Sequence, residues 1–186
     1  MLDKKQLRKK YYKLRKNNYF EINDGFFKPL ISFLDKLFKK KSIHLSFYYP
    51  SNYEVNILNL YNLIKKKRNI KVLLPVINSG DRLTFFKWGF LDVLKVNKYG
   101  ILEPAIKTRS LDPNVVLVPL LAFDKNNYRL GYGKGYYDKF LNKYIRMNKN
   151  ILTIGVAFSF QKYNKLPISN FDVKLDYILT EKGIIK

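Results

Sequence analysis

The chain has 186 residues, 47% of them hydrophobic, with 36 Lys and Arg against 14 Asp and Glu, for a formal net charge of +22. This length fits one domain covering residues 1–186, and the apolar fraction excludes a disordered chain. The lack of cysteine excludes a disulfide framework, a thiolate nucleophile and a Cys-ligated metal, and one histidine, His44, cannot build a histidine-rich metal site.

The distribution of apolar residues bears on where the protein works. No run approaches the ~18 uninterrupted apolar residues that a membrane span needs. The N-terminal segment, MLDKKQLRKK, lacks the apolar region of a signal peptide. We therefore expect a cytoplasmic protein that does not contact a membrane.

The excess of basic residues has two interpretations. A strongly basic chain suggests nucleic acid or another polyanion as a partner. However, the lysines are spread along the whole sequence, no nucleic-acid fold signature is present, and the wealth of Lys, Asn, Ile, Tyr and Phe is typical of an AT-rich genome. Nucleic-acid binding is therefore the less favoured interpretation, although the charge would still attract small anionic ligands.

The first predicted element is a helix over residues 4–16, with an apolar stripe that includes Leu7. At ~100° per residue, Lys4, Arg8 and Arg15 lie together along one edge of that stripe. There Lys4 and Arg8 could reach a partly buried anion. The alternative is that their apolar stems cover the edge of the core while their charges stay in water.

A second helix is predicted over residues 25–40 and a strand over 43–48, with His44 half exposed. Pro50 ends the strand, and Ser51 is a suitable N-cap for a helix that continues to about residue 65. Ser51 and Glu54 also match a capping box, which would explain Glu54 without any functional role.

Buried strands are further predicted at residues 70–74, 83–88, 115–122, 150–158 and 175–179. Because strands and helices alternate, we predict an α/β fold, a three-layer α/β/α domain with a mainly parallel sheet. Trp88 is expected in the core, with stacking on a flat ligand as the alternative. Ligands of such sheets bind beyond the carboxyl ends of the strands, where Tyr49, residues 129–138 and Gln161 fall.

A glycine-spaced loop follows the strand at 115–122 and precedes residues with helical spacing. Glycine allows close backbone approach, and a helix N-terminus offers N–H groups to an anion. The loop also carries basic side chains and, on the first helical turn, a carboxylate of the kind that binds Mg²⁺. Phosphate with magnesium is the direct interpretation. The residues concerned are Arg129, Gly131, Gly133, Lys134, Gly135 and Asp138.

This loop does not fit the commoner phosphate motifs. A P-loop requires Ser or Thr after Gly-Lys, whereas Gly135 follows Lys134, and the dinucleotide fingerprint GxGxxG is here GxGxG. The block from Phe123 to Asp138, FDKNNYRLGYGKGYYD, instead resembles the signature of the 5-formyltetrahydrofolate cyclo-ligase family. Asn127 stands where that family usually has glycine, and Asn tolerates the left-handed backbone that the turn needs.

Other matches to this family occur in the same order along nearly the whole chain. They are Lys4, Leu7 and Arg8; Tyr49, Glu54 and Val55; Leu74 and Pro75; Gly100, Ile101, Glu103 and Pro104; Val118 and Pro119; Gly155, Ala157, Phe158 and Gln161; and Leu166, Pro167, Asp172, Asp176 and Thr180.

The resemblance implies conversion of 5-formyltetrahydrofolate and ATP to 5,10-methenyltetrahydrofolate, ADP and phosphate, with Mg²⁺ as cofactor, in a protein expected to be a monomer. It implies catalytic roles for Arg129 and Lys134 and metal binding by Asp138 and Asp172. Since Phe171 precedes Asp172 here, a turn cap after Pro167 is the alternative for Asp172. The implied ATP-binding residues are Lys4, Lys5, Gln6, Leu7, Arg8, Arg129, Leu130, Gly131, Tyr132, Gly133, Lys134, Gly135, Tyr136 and Tyr137.

For the folate substrate, the resemblance implies contacts with Tyr49, Glu54, Tyr132, Gly133, Lys134, Gly135 and Tyr136. Tyr136 and Tyr137 could equally be hydrophobic anchors of the helix start. Two other functions stay open at this point. One is a non-catalytic or nucleic-acid-associated basic protein on the same fold, and the other is an ATP-dependent enzyme with a different substrate.

Overall fold

A computed structural model describes residues 2–80, 82–106, 109–147 and 149–186. Its α-helices are α1 (Lys4–Asn18), α2 (Lys28–Phe38), α3 (Leu58–Ile64) and α4 (Tyr136–Arg146), with short 3-10 helices at Asp24–Phe27 and Ser159–Gln161. Its strands are β1 (Ile43–Ser46), β2 (Ile70–Asn78), β3 (Arg82–Lys87), β4 (Leu94–Val96), β5 (Leu102–Pro104), β6 (Val115–Pro119), β7 (Ala122–Phe123), β8 (Arg129–Leu130), β9 (Leu152–Val156), β10 (Tyr177–Thr180) and β11 (Gly183–Ile185).

The central sheet has seven strands in the order β11-β10-β9-β6-β1-β2-β3. The five inner strands run parallel to one another, while β3 and β11 pair antiparallel with β2 and β10 at the two edges. The inner strands are rich in Val, Ile and Leu because both faces of a parallel sheet are covered. The predicted mainly parallel sheet is confirmed, with β11 as an edge strand beyond the predicted last one.

Helices cover both faces of this sheet. On one face, Leu30 of α2 and Leu60 of α3 belong to the same buried cluster as Leu117 of β6. On the other face, Phe140 of α4 belongs to a cluster with Val118 of β6. Neighbouring residues of β6 thus point to opposite layers, as the two-residue period of a strand requires. This arrangement confirms the predicted three layers.

Helix α1 lies at the carboxyl edge of the sheet. It begins with a capping box, in which Asp3 Oδ1 accepts from the Gln6 backbone N–H at 2.7 Å and Gln6 Oε1 accepts from the Asp3 N–H at 3.0 Å. Leu7 and Tyr11 pack in a third cluster with Leu130 of β8. The other edge of α1 is therefore held beside the glycine loop that follows β8.

The structure corrects the helix predicted to begin at Ser51. Residues 51–57 form an irregular turn, and α3 begins only at Leu58. Asn52 and Tyr53 have φ values of 49° and 63°, which a right-handed helix does not accommodate. Glu54 does accept the Ser51 N–H at 2.9 Å, but this bond closes a turn rather than capping a helix.

Two predictions on single residues are confirmed. His44 is half buried in β1, with Nδ1 3.0 Å from the Asp112 carbonyl oxygen. Trp88 is 4% exposed and belongs to the core. In the described part of the chain, the helices are too short or too polar to span a membrane.

Candidate active site

A cleft of about 1340 Å³ opens at the carboxyl edge of the sheet. Sites for one small ligand are typically ~300–1,000 Å³, so this cleft has room for two ligands side by side. Tyr49 beyond β1, Pro119 at the end of β6 and the glycine loop line it. Its charged lining residues, seven basic and three acidic, are Lys4, Arg8, Arg129, Lys134, Lys139, Lys143, Arg146, Glu54, Asp138 and Asp172.

The glycine loop joins β8 to α4 along the cleft. Gly133 and Gly135 have φ values of 100° and 69°, where an L-residue is strained, and Gly135 is the N-cap residue of α4. No side chain among the described residues caps α4, so its first N–H groups and its positive dipole end are available to an anion. This is the geometry expected of the loop from its sequence.

Arg8 ties α1 to the glycine loop. Its Nε donates to the Gly131 carbonyl oxygen at 2.9 Å. A Cβ atom on Gly133 would lie 3.1 Å from the Arg8 Cζ atom, so the guanidinium lies flat against the loop backbone. The missing side chain at Gly133 therefore makes room for a cation beside the N–H groups of the loop.

Lys4 and Asp172 form an ion pair on the same side of the cleft. Asp172 also accepts from the Ser169 N–H at 2.6 Å and the Ser169 hydroxyl at 3.0 Å, so it caps a turn beyond Pro167, as one interpretation of the sequence proposed. Burial opposes ionisation of Asp172, but the hydrogen bonds from Lys4 and Ser169 outweigh it and lower the pKa of this carboxyl.

Arg129 and Asp138 form a second ion pair, with 2.8 Å between Nη2 and Oδ1. The Arg129 side chain is only 4% exposed, and its Nη1 donates to the Val173 carbonyl oxygen at 3.2 Å. The Val173 N–H in turn donates to Asp138 Oδ1 at 3.2 Å. Asp138 thus holds both the buried guanidinium of Arg129 and the backbone of Val173, next to Asp172.

The two carboxylates fit a magnesium ion that is shared with a phosphate. Asp138 accepts its hydrogen bonds through Oδ1 and Asp172 through Oδ2, so within the described ranges the second oxygen of each has no hydrogen bond. The described residues contain no group of three or more His, Cys, Asp or Glu that could hold a metal. Mg²⁺ is commonly held by one or two carboxylates together with substrate phosphates, which is the arrangement these residues permit.

Glu54 also lines the cleft and is buried, with 6% of its surface exposed. Its Oε1 accepts from the Tyr132 hydroxyl at 2.9 Å and its Oε2 from the Ser51 N–H at 2.9 Å. Burial raises the pKa of Glu54 above its usual value, and the positive charge of Arg15 and the hydrogen bonds from Ser51 and Tyr132 offset this only in part. Tyr49 lines the cleft beside this carboxylate.

The structure does not bring every predicted ATP-binding residue to the cleft. Lys5 is exposed, Gln6 is engaged in the cap of α1, and Leu7 is fully buried in the core, so none of these three side chains lines it. The remaining predicted ATP, folate and metal residues all line it. What these residues bind stays a prediction.

Sequence reasoning missed one part of the cleft and one buried residue that supports it. The first is the hairpin of β4 and β5, whose Tyr99 ring lies 5.8 Å from the Tyr136 ring and 5.8 Å from Lys134 Nζ. The second is Arg15, which is 1% exposed and contacts the Tyr132 hydroxyl. The helical phase of α1 places Arg15 only at the edge of the apolar stripe, and the contacts that bury it come from distant segments.

The fold and the cleft define a class of protein, a three-layer α/β domain with a glycine loop and a helix N-terminus suited to an anion at its carboxyl edge. The chain belongs to the 5-formyltetrahydrofolate cyclo-ligase family, whose model matches residues 3–181. This membership confirms the resemblance seen in the sequence.

Individual relatives agree with the family match. The chain is 33% identical to a 5-formyltetrahydrofolate cyclo-ligase of Mycoplasma pneumoniae over 129 residues, which is 62% of this chain and 74% of the relative. It is 29% identical to that of Haemophilus influenzae over 152 residues, 78% of this chain and 80% of the relative.

Solved structures show the same fold. The NMR structure of 5,10-methenyltetrahydrofolate synthetase from Aquifex aeolicus matches with a TM-score of 0.74 at 31% identity, over 97% of this chain and 91% of that one. A 5,10-methenyltetrahydrofolate synthetase from Mycoplasma pneumoniae matches with a TM-score of 0.71 at 26% identity, over 96% and 98% of the two chains.

Proposed function

We propose that this protein converts 5-formyltetrahydrofolate and ATP to 5,10-methenyltetrahydrofolate, ADP and phosphate. One observation carries the proposal. The glycine loop, two cations from α1 and two ion-paired carboxylates line the same cleft as a buried Glu54. A nucleotide and a second, uncharged ring system can therefore lie in contact.

The chemistry asks the protein for positioning and charge neutralisation. The formyl oxygen of the substrate attacks the γ-phosphorus of ATP, and ADP leaves. N10 of the folate then attacks the activated formyl carbon and loses its proton to solvent, and phosphate departs with the former formyl oxygen as the ring closes. Because the substrate supplies both nucleophiles, no Ser, Cys or His of the protein has to react, in keeping with a chain that has no cysteine and one histidine.

In this proposal the cations bind the phosphates in two ways. Arg129 is immobilised by Asp138 and the Val173 carbonyl, so its charge is held at one place on the loop wall. Lys134 is exposed at the tip of the loop and can follow the phosphoryl group as it moves. Lys4 and Arg8, held by Asp172 and Gly131, complete the cationic wall.

Asp138 and Asp172 would hold Mg²⁺ through the oxygens that make no hydrogen bond within the described ranges. When bound with ATP, the ion would neutralise part of the phosphate charge that opposes attack by an oxygen. The two side chains themselves keep Arg129 and Lys4 in place, and this second role needs no metal.

Glu54 would bind the folate ring. A carboxylate has about four lone-pair positions, and Glu54 uses one on each oxygen for Tyr132 and Ser51. The remaining positions can accept the N–H donors on the edge of the pterin ring. Tyr49 and the segment from Tyr132 to Tyr136 would line the rest of this subsite. All these side chains come from one chain, so the predicted monomer would suffice.

The test is to mix the purified protein with 5-formyltetrahydrofolate and Mg-ATP and follow the near-ultraviolet absorbance of methenyltetrahydrofolate. We expect ATP-dependent growth of that band, and none without magnesium. No band with intact ATP binding would indicate another substrate. No band and no ATP binding would favour the nucleic-acid alternative.

Two substitutions test the phosphate and metal assignments. Lys134→Ala and Asp138→Ala should each lower turnover at least a hundredfold while the protein stays folded by circular dichroism, because charge neutralisation by a positioned group is worth about 2.7–4 kcal/mol. Lys125→Ala and Asp35→Ala are the matched controls, since both side chains are exposed and lie outside the cleft. Near-normal turnover in either cleft variant would contradict the assignment.

A further inference from the structure

Arg15 is a buried cation that has no role in the reaction proposed above. It is 1% exposed, in a chain whose other basic residues are mostly at the surface. Burying an unpaired guanidinium costs several kcal/mol unless its donors are bonded and its charge is compensated. The contacts of Arg15 therefore indicate what its burial achieves.

The guanidinium of Arg15 joins three segments that come together only in the folded chain. Its Nη1 donates to the Leu120 carbonyl just beyond β6 at 3.0 Å, and its Nη2 donates to the Asn52 carbonyl at 2.6 Å. The same Nη2 donates to the hydroxyl of Tyr132 in the glycine loop. The Arg15 Cζ atom also lies 5.5 Å from the centre of the Tyr132 ring. Arg15 thus holds the glycine loop against the turn that carries Glu54.

Charge compensation reaches Arg15 through a tyrosine rather than a direct ion pair. The Tyr132 hydroxyl accepts from Arg15 and donates to Glu54 Oε1 at 2.9 Å, forming a continuous chain from cation to carboxylate. Hydrogen bonds in such a chain polarise one another and strengthen it. Within the described ranges Arg15 has no salt bridge of its own, so Glu54 is the carboxylate that balances it.

We propose that Arg15 is a positioning residue for the folate end of the cleft. Through the Tyr132 hydroxyl it holds Glu54 in one orientation and places a positive charge beside its carboxylate. The inference rests on the proposed function, because it assigns Glu54 to the folate ring. It adds that recognition at one end of the cleft depends on a buried cation of α1 that touches neither substrate.

The surroundings of Glu54 support a dominant effect of Arg15. The groups that face the carboxylate are Tyr48 beyond β1, the Ser51 N–H, Tyr132 and Tyr137. The phenols are neutral at physiological pH, because burial raises the pKa of each of them. Arg15 is the positive charge that opposes the effect of burial on Glu54, so without it the pKa of Glu54 should rise.

The first test separates the charge of Arg15 from its shape. Arg15→Met keeps an apolar stem but removes the charge, whereas Arg15→Lys keeps the charge but loses the planar fork that reaches three oxygens. For Arg15→Met we expect the KM for 5-formyltetrahydrofolate to rise about tenfold or more, the loss expected for one hydrogen bond to a charged group. The acid limb of kcat/KM against pH should move to higher pH, and the KM for ATP should change less than threefold.

Tyr132→Phe tests whether Arg15 acts through the hydroxyl. It should reproduce the rise in the folate KM, and Arg15→Met combined with Tyr132→Phe should be no worse than the more damaging single variant. Arg15→Lys should shift the pH profile less than Arg15→Met. If the effects of the two single variants multiply, or if the pH profile does not move, the proposal is wrong.

Gln161→Met is the matched control for loss of a buried polar group. Gln161 is 1% exposed, and its Nε2 donates to the same Leu120 carbonyl at 2.9 Å. In the described part of the chain it has no hydrogen bond to Tyr132 or Glu54, and it does not line the cleft. It should lower thermal stability without moving the pH profile or the folate KM. If Gln161→Met gives the same kinetic pattern as Arg15→Met, Arg15 has only a structural role.

A readout without turnover keeps this inference distinct from the proposed function. The chain has four glutamates, so protein labelled with ¹³C at Glu gives four side-chain carboxyl signals, and Glu54→Gln assigns that of Glu54. We expect its titration midpoint to rise in Arg15→Met and to rise less in Arg15→Lys. An unchanged midpoint would overturn the proposal even in an active enzyme, and a raised one would support the link in a protein that makes no product.

Discussion

Gly133 offers a sharp test of the glycine-loop geometry through Gly133→Ala. Its φ of 100° is strained for any L-residue, and a new Cβ atom would lie 3.1 Å from Arg8 Cζ. Carbon atoms pack best at about 3.5–4.0 Å, so the guanidinium must move. That movement weakens the 2.9 Å hydrogen bond from Arg8 Nε to the Gly131 carbonyl.

The two consequences of Gly133→Ala have different sizes and different readouts. A left-handed backbone costs an alanine about 1–2 kcal/mol, which for a chain of this length lowers Tm by roughly 2–8 °C. Displacing Arg8 removes a hydrogen bond of a charged group, worth at least about 1.5 kcal/mol. If that bond places a phosphate ligand, the KM for ATP should rise about tenfold.

Gly183→Ala is the control that measures the cost of backbone strain alone, without a clash. Gly183 has a φ of 110°, and a Cβ atom there meets nothing within 4 Å. It should lower Tm by a similar amount and leave the KM for ATP unchanged. Melting curves and the methenyltetrahydrofolate absorbance assay with varied ATP measure both. A KM for ATP within twofold of the original in Gly133→Ala, or an equal rise in Gly183→Ala, would refute the reasoning.

Two further predictions concern pH and the turn at Asn127. Because the pKa of Asp172 is lowered in the folded protein, its stabilisation is present above the unfolded value of ~3.9 and is lost as pH falls through the folded value. Lys4→Met should therefore be less stable than the original at pH 7 in urea unfolding, and the gap should close near pH 2; a gap that persists there would contradict this pairing. Asn127 has a φ of 61°, and its Nδ2 donates to the Asp176 carbonyl at 3.3 Å. Both Asn127→Ala and Asn127→Gly lose that bond, but only the alanine strains the backbone, so Asn127→Ala should cost about 1–2 kcal/mol more than Asn127→Gly in urea unfolding. Equal losses in both variants would show that the side chain, not the backbone, matters.

Local pattern predicted much of the fold. The buried strands are runs of branched apolar residues. In the segment from β8 to α4, glycines mark the loop, and Gly135 marks the start of the helix. The left-handed backbone expected at Asn127 is confirmed, because that conformation depends on the residue and its turn. Lys4 and Arg8 line the cleft as the helical phase of α1 indicated.

What was missed depends on contacts between distant segments. The sequence of the turn at 51–57 is compatible with a helix. However, the Asn52 carbonyl accepts a hydrogen bond from Arg15, and Asn52 has a φ of 49°. The hairpin of β4 and β5 has strands of three residues, too short for an alternating pattern to be read. Burial of Arg15 follows from partners 37 to 117 residues away, which no local window contains.

The cleft has about the same ratio of basic to acidic residues as the whole chain. The whole sequence has 36 basic and 14 acidic residues, and the described lining of the cleft has seven and three, so both have between two and three basic residues per acidic one. The cleft is therefore no more basic than the protein as a whole. An excess of charge alone would bind polyanions anywhere on the surface, and salt would screen it.

What distinguishes the cleft is the fixed position of its cations. Arg129 is held by Asp138, Lys4 by Asp172 and Arg8 by a backbone carbonyl. Fixed charges stabilise a particular arrangement of phosphates without reorganising, whereas mobile surface lysines only raise the rate of encounter. Higher salt should therefore slow association of ATP much more than it weakens the bound state, and this separation is what the cleft of a small-molecule enzyme requires.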